Sequence, residues 1–195
     1  LTVECGTAFT DPGATATDTC AGNLTPVIVT EGAVDTAVPG LYVLTYTVED
    51  PSGNTASLAR DVQVVDTTPP LISLLGASTM TLTLGTAYTE PGYSASDTCA
   101  GDLTGGVSVT GTVNSNALGT YVLTYSVSDG EGNPAETPRT VTVILGAAPE
   151  ITILGENPAT VECGGTYEDA GATASDAEDG DLTLYILVDN PVDAS

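Results

Sequence analysis

Apolar and polar residues alternate along much of this chain, and the alternation predicts short β-strands. The clearest run is residues 121–128, where large apolar side chains occupy every second position. Residues 62–64 and 141–143 show the same alternation with valine. Glycine and proline interrupt the runs, and no segment carries a helical period. The pattern therefore predicts an all-β fold.

The chain repeats itself at a spacing of 79 residues. Residues 18–25 recur as residues 97–104 and 176–183, and residues 41–46 recur as residues 120–125. No insertion disturbs this register, which indicates tandem duplication. A unit of this size with six or seven short strands is typical of a compact β-sandwich. A β-solenoid is the weaker alternative, because its repeats are shorter.

The register predicts three domains, at residues 1–68, 69–146 and 147–195. The first begins at the register position of Met80 and lacks its first strand. The third ends level with Asn116, before its C-terminal strands, so only the middle repeat is whole. Unfinished sheet edges favour aggregation. We therefore expect either that the sequence is a window onto a longer array or that neighbouring copies complete the two end repeats.

The motifs of the repeat resemble a known family. The pattern runs Thr-Val-Glu-Cys-Gly, then Tyr-x-Asp-Pro-Gly-Ala, then Gly-Asp-Leu-Thr, and it closes with Gly-Thr-Tyr-x-Leu-Thr-Tyr and Arg-x-Val-x-Val. It is similar to the bacterial immunoglobulin-like repeats of large secreted and surface proteins, and more distantly to hyalin repeats. The resemblance implies tandem immunoglobulin-like β-sandwiches in an extended array. It does not specify a function, since such modules serve as spacers, stalks, filament subunits and enzyme appendages.

The composition excludes several classes of function. The chain has 26 acidic residues, two arginines, no lysine and no histidine, which gives a formal charge of −24. This charge repels phosphate backbones and anionic membranes, so we expect no nucleic-acid partner. No apolar run approaches the roughly 20 residues that cross a membrane, so we expect no membrane insertion.

The same composition argues against catalysis. Without histidine or lysine the chain has no Ser-His-Asp triad, no Cys-His pair and no Schiff-base lysine. Carboxylate pairs such as Asp179 and Asp181 lie in a turn with no aromatic platform for a sugar. We therefore predict that the protein is not an enzyme.

Four cysteines follow the repeat register with gaps. Cys5 and Cys20 lie in the first repeat, and we predict a disulfide between them. Closing a loop of about 15 residues would contribute roughly 3 kcal/mol in the chain-entropy model and suits a small secreted domain. The alternative is two unlinked thiols. Cys99 and Cys163 have no partner in register, and either bridge adjacent repeats or chains or remain free. The paired spacing of a zinc site is absent.

The acidic loops are the candidate metal chemistry. In such a sandwich the loop of residues 97–102 and the hairpin turn of residues 129–133 lie at one end, beside the linker of residues 66–70. The predicted ligand set is Asp66, Asp97, Asp102, Asp129 and Asn133. Calcium takes six to eight such oxygen ligands, and magnesium is the less forgiving alternative. The competing interpretation is turn chemistry alone, in which Asp and Asn cap their own backbone.

Two further features concern the linkers and the arginines. Pro69 and Pro70 stiffen the first linker, which favours an extended row of repeats. The second linker has no counterpart of Asp66, so that junction is either poor in metal or uses Glu150. Arg60 and Arg139 occupy one register position, and we expect each to pair with a carboxylate of its own repeat.

These features predict a secreted, non-catalytic structural protein that forms a stalk, fibre or filament at the cell surface. Its expected partners are other copies or further repeats of the same protein. The alternative is an adhesive or carbohydrate-binding module of a secreted enzyme, adhesin or phage tail. That alternative would add a glycan or a cell-surface ligand to the expected partners.

Overall fold

The computed structural model describes residues 1–189, mostly as β-strands joined by turns. Within that range, the helices are single 3-10 turns that recur at one register position of each repeat. They are Thr25–Val27, Thr104–Gly106 and Thr183–Tyr185. None of the described helices has the length and apolar character of a membrane span. The predicted all-β class is confirmed.

The first repeat contains one four-stranded sheet and one short hairpin. Its strands are β1 (Thr2–Glu4), β2 (Thr17–Asp18), β3 (Gly22–Asn23), β4 (Val29–Glu31), β5 (Gly40–Glu49) and β6 (Thr55–Val65). The sheet has the order β1-β6-β5-β4, with β1 parallel to β6 and the other pairs antiparallel. Strands β2 and β3 form the hairpin. Leu44, Tyr46 and Val62 are the buried centre of the core, and Phe9 and Ile28 pack against them.

The second repeat contains two sheets. Its strands are β7 (Leu71–Leu74), β8 (Thr79–Thr83), β9 (Tyr93–Asp97), β10 (Gly101–Asp102), β11 (Ser108–Thr110), β12 (Gly119–Ser128) and β13 (Pro134–Ile144). One sheet has the order β10-β9-β7 and the other the order β11-β12-β13-β8. Strand β7 has no counterpart in the first repeat, and there the strand equivalent to β9 is only two residues long.

The described part of the third repeat repeats the smaller of those sheets. Its strands are β14 (Glu150–Ile153), β15 (Ala172–Asp176) and β16 (Gly180–Asp181), in the order β14-β15-β16. Ile151 lies opposite Ala174, as Ile72 lies opposite Ala95 in the second repeat. The same register in both copies confirms that the duplication seen in the sequence is a duplication of structure.

Period-two burial agrees with the predicted strand pattern. Leu123, Tyr125 and Val127 on β12 are buried, while Val122, which directly precedes Leu123, is half exposed. The paired valines of the neighbouring strands are also buried, namely Val62, Val64, Val141 and Val143. Because successive side chains of a strand point to opposite faces, these residues form the inner face of each large sheet.

The chain divides into two compact units that cut across the repeats. The first comprises Leu1–Met80, Thr89–Val113 and Tyr121–Val141, and it holds the whole first repeat and most of the second. The second comprises Thr81–Tyr88, Asn114–Thr120 and the chain from Thr142 onward. The domain boundaries predicted from the register follow the repeats rather than these units, and they stay a prediction.

Each of the first two repeats is held together by an arginine in its interior. Arg139 is fully buried and donates to Glu90 Oε1 at 2.8 Å, to the Leu75 carbonyl at 2.7 Å and to the Gly92 carbonyl at 3.2 Å. Its guanidinium carbon lies 5.6 Å from the centre of the Tyr125 ring. The expected pairing of this arginine with a carboxylate of its own repeat is confirmed.

The matching cluster of the first repeat is more open. Arg60 pairs with Asp11 and donates to the Tyr46 hydroxyl at 2.7 Å and to the Gly13 carbonyl at 2.8 Å. One quarter of its side chain is exposed, whereas Arg139 is fully buried. The Tyr46 hydroxyl donates to Asp11 at 2.6 Å and is the main reason that the pKa of Asp11 lies below its ordinary value.

Candidate functional site at the first inter-repeat junction

A disulfide joins the first two repeats. Cys5, directly after β1, is bonded to Cys99, in the turn between β9 and β10, with the two Cα atoms 6.1 Å apart. The predicted bond between Cys5 and Cys20 is therefore wrong. Cys99 instead takes the bridging role between adjacent repeats that the sequence left open, while Cys20 and Cys163 are free and exposed.

The pairing follows from the two ends of the first sandwich. The Cys5 amide donates to the Val65 carbonyl at 2.7 Å, which places Cys5 at the last residue of β6. The turn that contains Cys20 lies at the other end, where Asp18 lines one groove with Asn54 and Thr55 at the start of β6. Strand β6 has eleven residues. At about 3.3 Å per residue the two ends are roughly 33 Å apart, far beyond the reach of a disulfide.

A carboxylate clamps the linker beside this disulfide. Glu4, the last residue of β1, accepts hydrogen bonds from the Thr67 amide at 2.8 Å, the Thr67 hydroxyl at 2.9 Å and the Thr68 hydroxyl at 2.9 Å. The Thr67 amide contributes most to lowering the pKa of Glu4 below its ordinary value. Hydrogen bonds to a charged group are stronger than neutral ones, so this clamp fixes the chain where it leaves the first repeat.

Two of the predicted ligands approach each other at the junction. Three atoms lie within 4.8 Å of one another, namely one carboxylate oxygen of Asp66, one carboxylate oxygen of Asp97 and the Sγ atom of Cys99. Asp66 follows β6 directly and is only 8% exposed. The sulfur of Cys99 is in the disulfide and is not a thiolate, so the metal-binding capacity of the group lies in the two carboxylates.

Two more predicted ligands tie a hairpin of the second repeat to the linker. The Asn133 side-chain amide donates to Asp129 Oδ2 at 2.7 Å and to the Asp66 main-chain carbonyl at 3.0 Å. The Asn133 backbone amide donates to Asp129 Oδ1 at 2.8 Å. Asp129 and Asn133 thus lie at the junction as predicted, but their side chains stabilise the turn and hold the linker.

The fifth predicted ligand lies outside the group of converging carboxylates. Asp102 is exposed, and its Oδ1 accepts the Thr104 amide at 2.9 Å in a local turn. Hydrogen bonds from Thr104 hold its pKa below the ordinary value. Asp102 therefore shows the turn chemistry that competes with the metal interpretation. Calcium at the junction stays a prediction.

Asp66 is the carboxylate of the junction whose charged form is destabilised by its surroundings. Burial is the main factor that raises its pKa, the Thr68 amide opposes it, and the negative charges of Asp97, Asp129 and Glu4 raise it further. For Asp129 burial acts in the same direction, but hydrogen bonds from Asn133 and neighbouring amides outweigh it and its pKa is lowered. The surroundings of Asp66 therefore favour a proton or a cation beside its carboxylate.

Sequence reasoning missed Glu4, its threonine partners and the correct cysteine pair. A signal for the pair was present in the register. The position of Cys5 holds Leu84 in the second repeat, and the position of Cys99 holds Glu178 in the third. At the first junction, a cysteine at the Cys5 position of one repeat accompanies a cysteine at the Cys99 position of the next repeat. At the second junction both positions hold other residues.

The chain matches a known family model in three tandem segments. The model is described as the Ig-like domain of bacterial surface proteins, and it matches residues 1–64, 72–143 and 151–195. The matched segments correspond to the three repeats. The expected immunoglobulin-like resemblance is confirmed.

Relatives with similar sequences cover much of the chain. Hyalin of Lytechinus variegatus is 34% identical over 92% of the chain and 35% of its own length. Hyalin of Strongylocentrotus purpuratus is 34% identical over 73% of the chain and 12% of its own length. An uncharacterized 81.3 kDa protein of Acholeplasma phage L2 is 31% identical over 77% of the chain and 21% of its own length. The chain thus spans between about an eighth and a third of these relatives.

Solved structures show weaker similarity. The lipoprotein BT2262 from Bacteroides thetaiotaomicron is 30% identical and matches 40% of the chain and 39% of its own, with a TM-score of 0.37. The M60 catalytic domain of Clostridium perfringens ZmpB with its CBM51-1 and CBM51-2 domains is 11% identical and matches 80% of the chain and 32% of its own, with a TM-score of 0.46.

Proposed function

Because the chain belongs to the family of bacterial surface protein Ig-like domains, we propose that it is a non-catalytic segment of an extracellular stalk, fibre or filament. The observation that carries this proposal is the first junction. There a disulfide and the Asn133 contact connect one repeat to the next, and the Glu4 clamp fixes the linker between them. A protein that devotes these groups to fixing neighbouring repeats is suited to bearing load.

The disulfide and the family support an extracellular location. Disulfides persist in oxidising environments and are rare in the cytosol. The family description places such domains on bacterial surfaces. The net charge of −24 keeps an exposed array soluble and discourages non-specific association with phosphate-bearing surfaces.

The alternative is an adhesive or glycan-binding role, and the aromatic side chains support it poorly. The sequence has nine aromatic residues, eight Tyr and one Phe. In residues 1–189, Tyr185 is the aromatic side chain that is widely exposed, at 79%. The others are buried or half-buried, so no group of exposed rings offers the flat platform on which a sugar stacks.

Small-angle scattering of the intact chain, with the disulfide oxidised and then reduced, tests the structural role. We expect an elongated particle whose maximum dimension is well defined when oxidised and more broadly distributed after reduction. A compact particle in both states would contradict the proposal. Binding of the chain to immobilised glycans would support the alternative instead.

We propose in addition that calcium binds at the first junction, between Asp66 and Asp97. Among the described residues only the Thr68 amide donates to the Asp66 carboxylate, to Oδ1 at 3.3 Å. A buried carboxylate that faces other carboxylates gains most from a divalent cation. Two carboxylates are fewer than the six to eight oxygens that calcium takes, so water would complete the set. Binding should then fall in the range of about 10⁻⁴ to 10⁻³ M that is typical of extracellular modules.

Thermal unfolding in millimolar calcium and in EDTA tests the metal. We expect calcium to raise Tm of the wild type and of Asp102→Asn, whose side chain lies outside the group, but not of Asp66→Asn. Equal Tm values of the wild type in calcium and EDTA would contradict the calcium proposal. The structural proposal would be unaffected, because the disulfide and the clamp need no metal.

A further inference from the structure

The observed disulfide joins two short motifs, and each motif occurs once more in the chain. One is the Cys-Gly turn, Cys5-Gly6, and the other is the Thr-Cys turn, Thr98-Cys99. The third repeat carries a second Cys-Gly turn, Cys163-Gly164, and the first repeat carries a second Thr-Cys turn, Thr19-Cys20. Both cysteines of these further turns are free and exposed. The chain therefore has one Cys-Gly turn and one Thr-Cys turn whose cysteine is not in a disulfide.

The unused Thr-Cys turn has the same backbone as the bonded one. In the bonded turn Asp97 Oδ1 accepts the Cys99 amide at 2.7 Å and the Ala100 amide at 2.9 Å. In the unused turn Asp18 Oδ1 accepts the Cys20 amide at 2.8 Å and the Ala21 amide at 2.7 Å. Each cysteine is thus held at the tip of a hairpin, between two short strands, by the same side chain.

The unused Cys-Gly turn also matches its bonded counterpart. Gly6 has φ of 75° and Gly164 has φ of 76°, in the left-handed region that favours glycine. In the bonded pair Gly6 lies so close to the Thr98 methyl group that a Cβ atom would overlap it. Around Gly164 no atom lies within 4 Å of the position of a Cβ atom, so this half has room for a threonine.

We propose that the Cys-Gly turn of Cys163 bonds to the Thr-Cys turn of Cys20 in a second copy of this chain. Copies then join tail to head, through the contact that already joins the first two repeats. The occupant is a second copy because the chain supplies both complementary halves. The inference goes beyond the proposed function and does not depend on calcium, since it rests on the Cys5–Cys99 geometry alone.

Formation of this bond requires a disulfide oxidant such as oxidised glutathione. The Cys20 thiolate attacks one sulfur of the oxidant and releases one glutathione thiolate, giving a mixed disulfide. The Cys163 thiolate of the other copy attacks the Cys20 sulfur and releases the second glutathione thiolate. Two thiols are thereby oxidised to one disulfide and one glutathione disulfide is reduced to two thiols, because the two cysteine protons pass to the two released glutathione thiolates.

Two complementary variants of the full chain test the direction of the bond. Cys20→Ser retains only the Cys163 half, and Cys163→Ser retains only the Cys20 half, while Cys5–Cys99 stays intact in both. In a glutathione redox buffer with EDTA, we expect a covalent ladder from the wild type and a dimer from the mixed variants. Neither variant should form a covalent dimer by itself. Non-reducing electrophoresis measures the products, and circular dichroism checks that both variants fold.

Tryptic mapping identifies the bond. With arginine only at positions 60 and 139, trypsin yields residues 1–60, 61–139 and 140–195. In the mixed dimer we expect fragment 140–195 to be linked to fragment 1–60. Dimers from either variant alone in equal amount would overturn the proposal, since the thiols would then couple without orientation. No dimer in the mixture, although both thiols react with maleimide, would also overturn it, and neither result would affect the stalk proposal.

Discussion

The first linker and the second differ at nearly every position that makes contact in the first. Glu4, Cys5 and Asp66 of the first junction correspond to Thr83, Leu84 and Leu145 one repeat later. The remaining replacements are Thr67 by Gly146, Thr68 by Ala147 and Cys99 by Glu178. The disulfide, the clamp and the buried carboxylate are thus replaced as a set. Such joint replacement indicates that these residues act together.

What the two regions share is the strand pairing. The Leu84 amide donates to the Ile144 carbonyl at 2.8 Å, as the Cys5 amide donates to the Val65 carbonyl at 2.7 Å. Where the first junction has Thr67, the second linker has Gly146, and a Cβ atom there would lie 3.1 Å from the Glu178 carboxyl carbon. The sheet therefore survives the change, while the cross-links depend on a few side chains. The stiffness of each junction can therefore be changed by a few side chains without a change of fold.

The largest expected effect separates the disulfide from the rest of the first junction. Cys5→Ser should lower the free energy of unfolding by about 4 to 5 kcal/mol, because the bond closes a loop of 94 residues. Cys20→Ser is the matched control and should change little, since its thiol is free and exposed. Urea denaturation followed by circular dichroism measures both. Equal midpoints for the two variants would show that the first junction owes its stability to other contacts.

The second effect distinguishes the core of a repeat from its junction. Arg139→Ala should cost about 3 kcal/mol, because it leaves a cavity and removes the hydrogen bonds that Arg139 donates to Glu90 and to two carbonyl groups. Arg60→Ala should cost less, since that side chain is one quarter exposed. Both variants should retain Cys5–Cys99, as judged by counting the thiols that react with maleimide in the unfolded, non-reduced chain. Equal losses in the two variants would contradict the expectation that the buried arginine contributes more than the partly exposed one.

The third effect is a pH dependence at the Glu4 clamp, since the counterpart of Glu4 at the second linker is Thr83. The pKa of Glu4 is lowered from its ordinary 4.5, so its contribution to stability is complete above that value and is lost as the pH falls through the lower folded pKa. Glu4→Gln should therefore reduce Tm at neutral pH, and the difference from wild type should disappear in acid. Glu31→Gln, at an exposed strand position, is the control. A difference that does not change with pH would argue against the clamp.

Sequence reasoning predicted the regular features of the molecule well. The repeat spacing and the alternation within strands are local patterns, and they identified the buried faces that contain Leu123 and Tyr125. The arginine pairs were also predictable, because Arg60 and Arg139 are the only cations among the side chains and each needs a carboxylate.

The contacts across the junction were harder to predict. A register gives the position of a residue within its repeat, but it does not say at which end of the sandwich that residue lies. Cys5 and Cys20 are close in sequence and lie at opposite ends, so proximity favoured the wrong pair. Glu4 contacts residues 63 and 64 positions away, and no motif marks it as a partner of threonine.

The smallest expected effect concerns Asp102, the member of the predicted ligand set that the fold directs elsewhere. Asp102→Asn keeps an oxygen that can accept the Thr104 amide, so the local turn should persist. We expect Tm in EDTA to fall only slightly, because the charge that Thr104 stabilises is lost, and the rate of reduction of Cys5–Cys99 by dithiothreitol to equal that of the wild type. Asp97→Asn is the informative partner, because it removes a charge beside Asp66 in the same loop. If Asp102→Asn altered the junction as much as Asp97→Asn does, the whole loop rather than its converging carboxylates would control the linker, and the contrast with the second linker would need another cause.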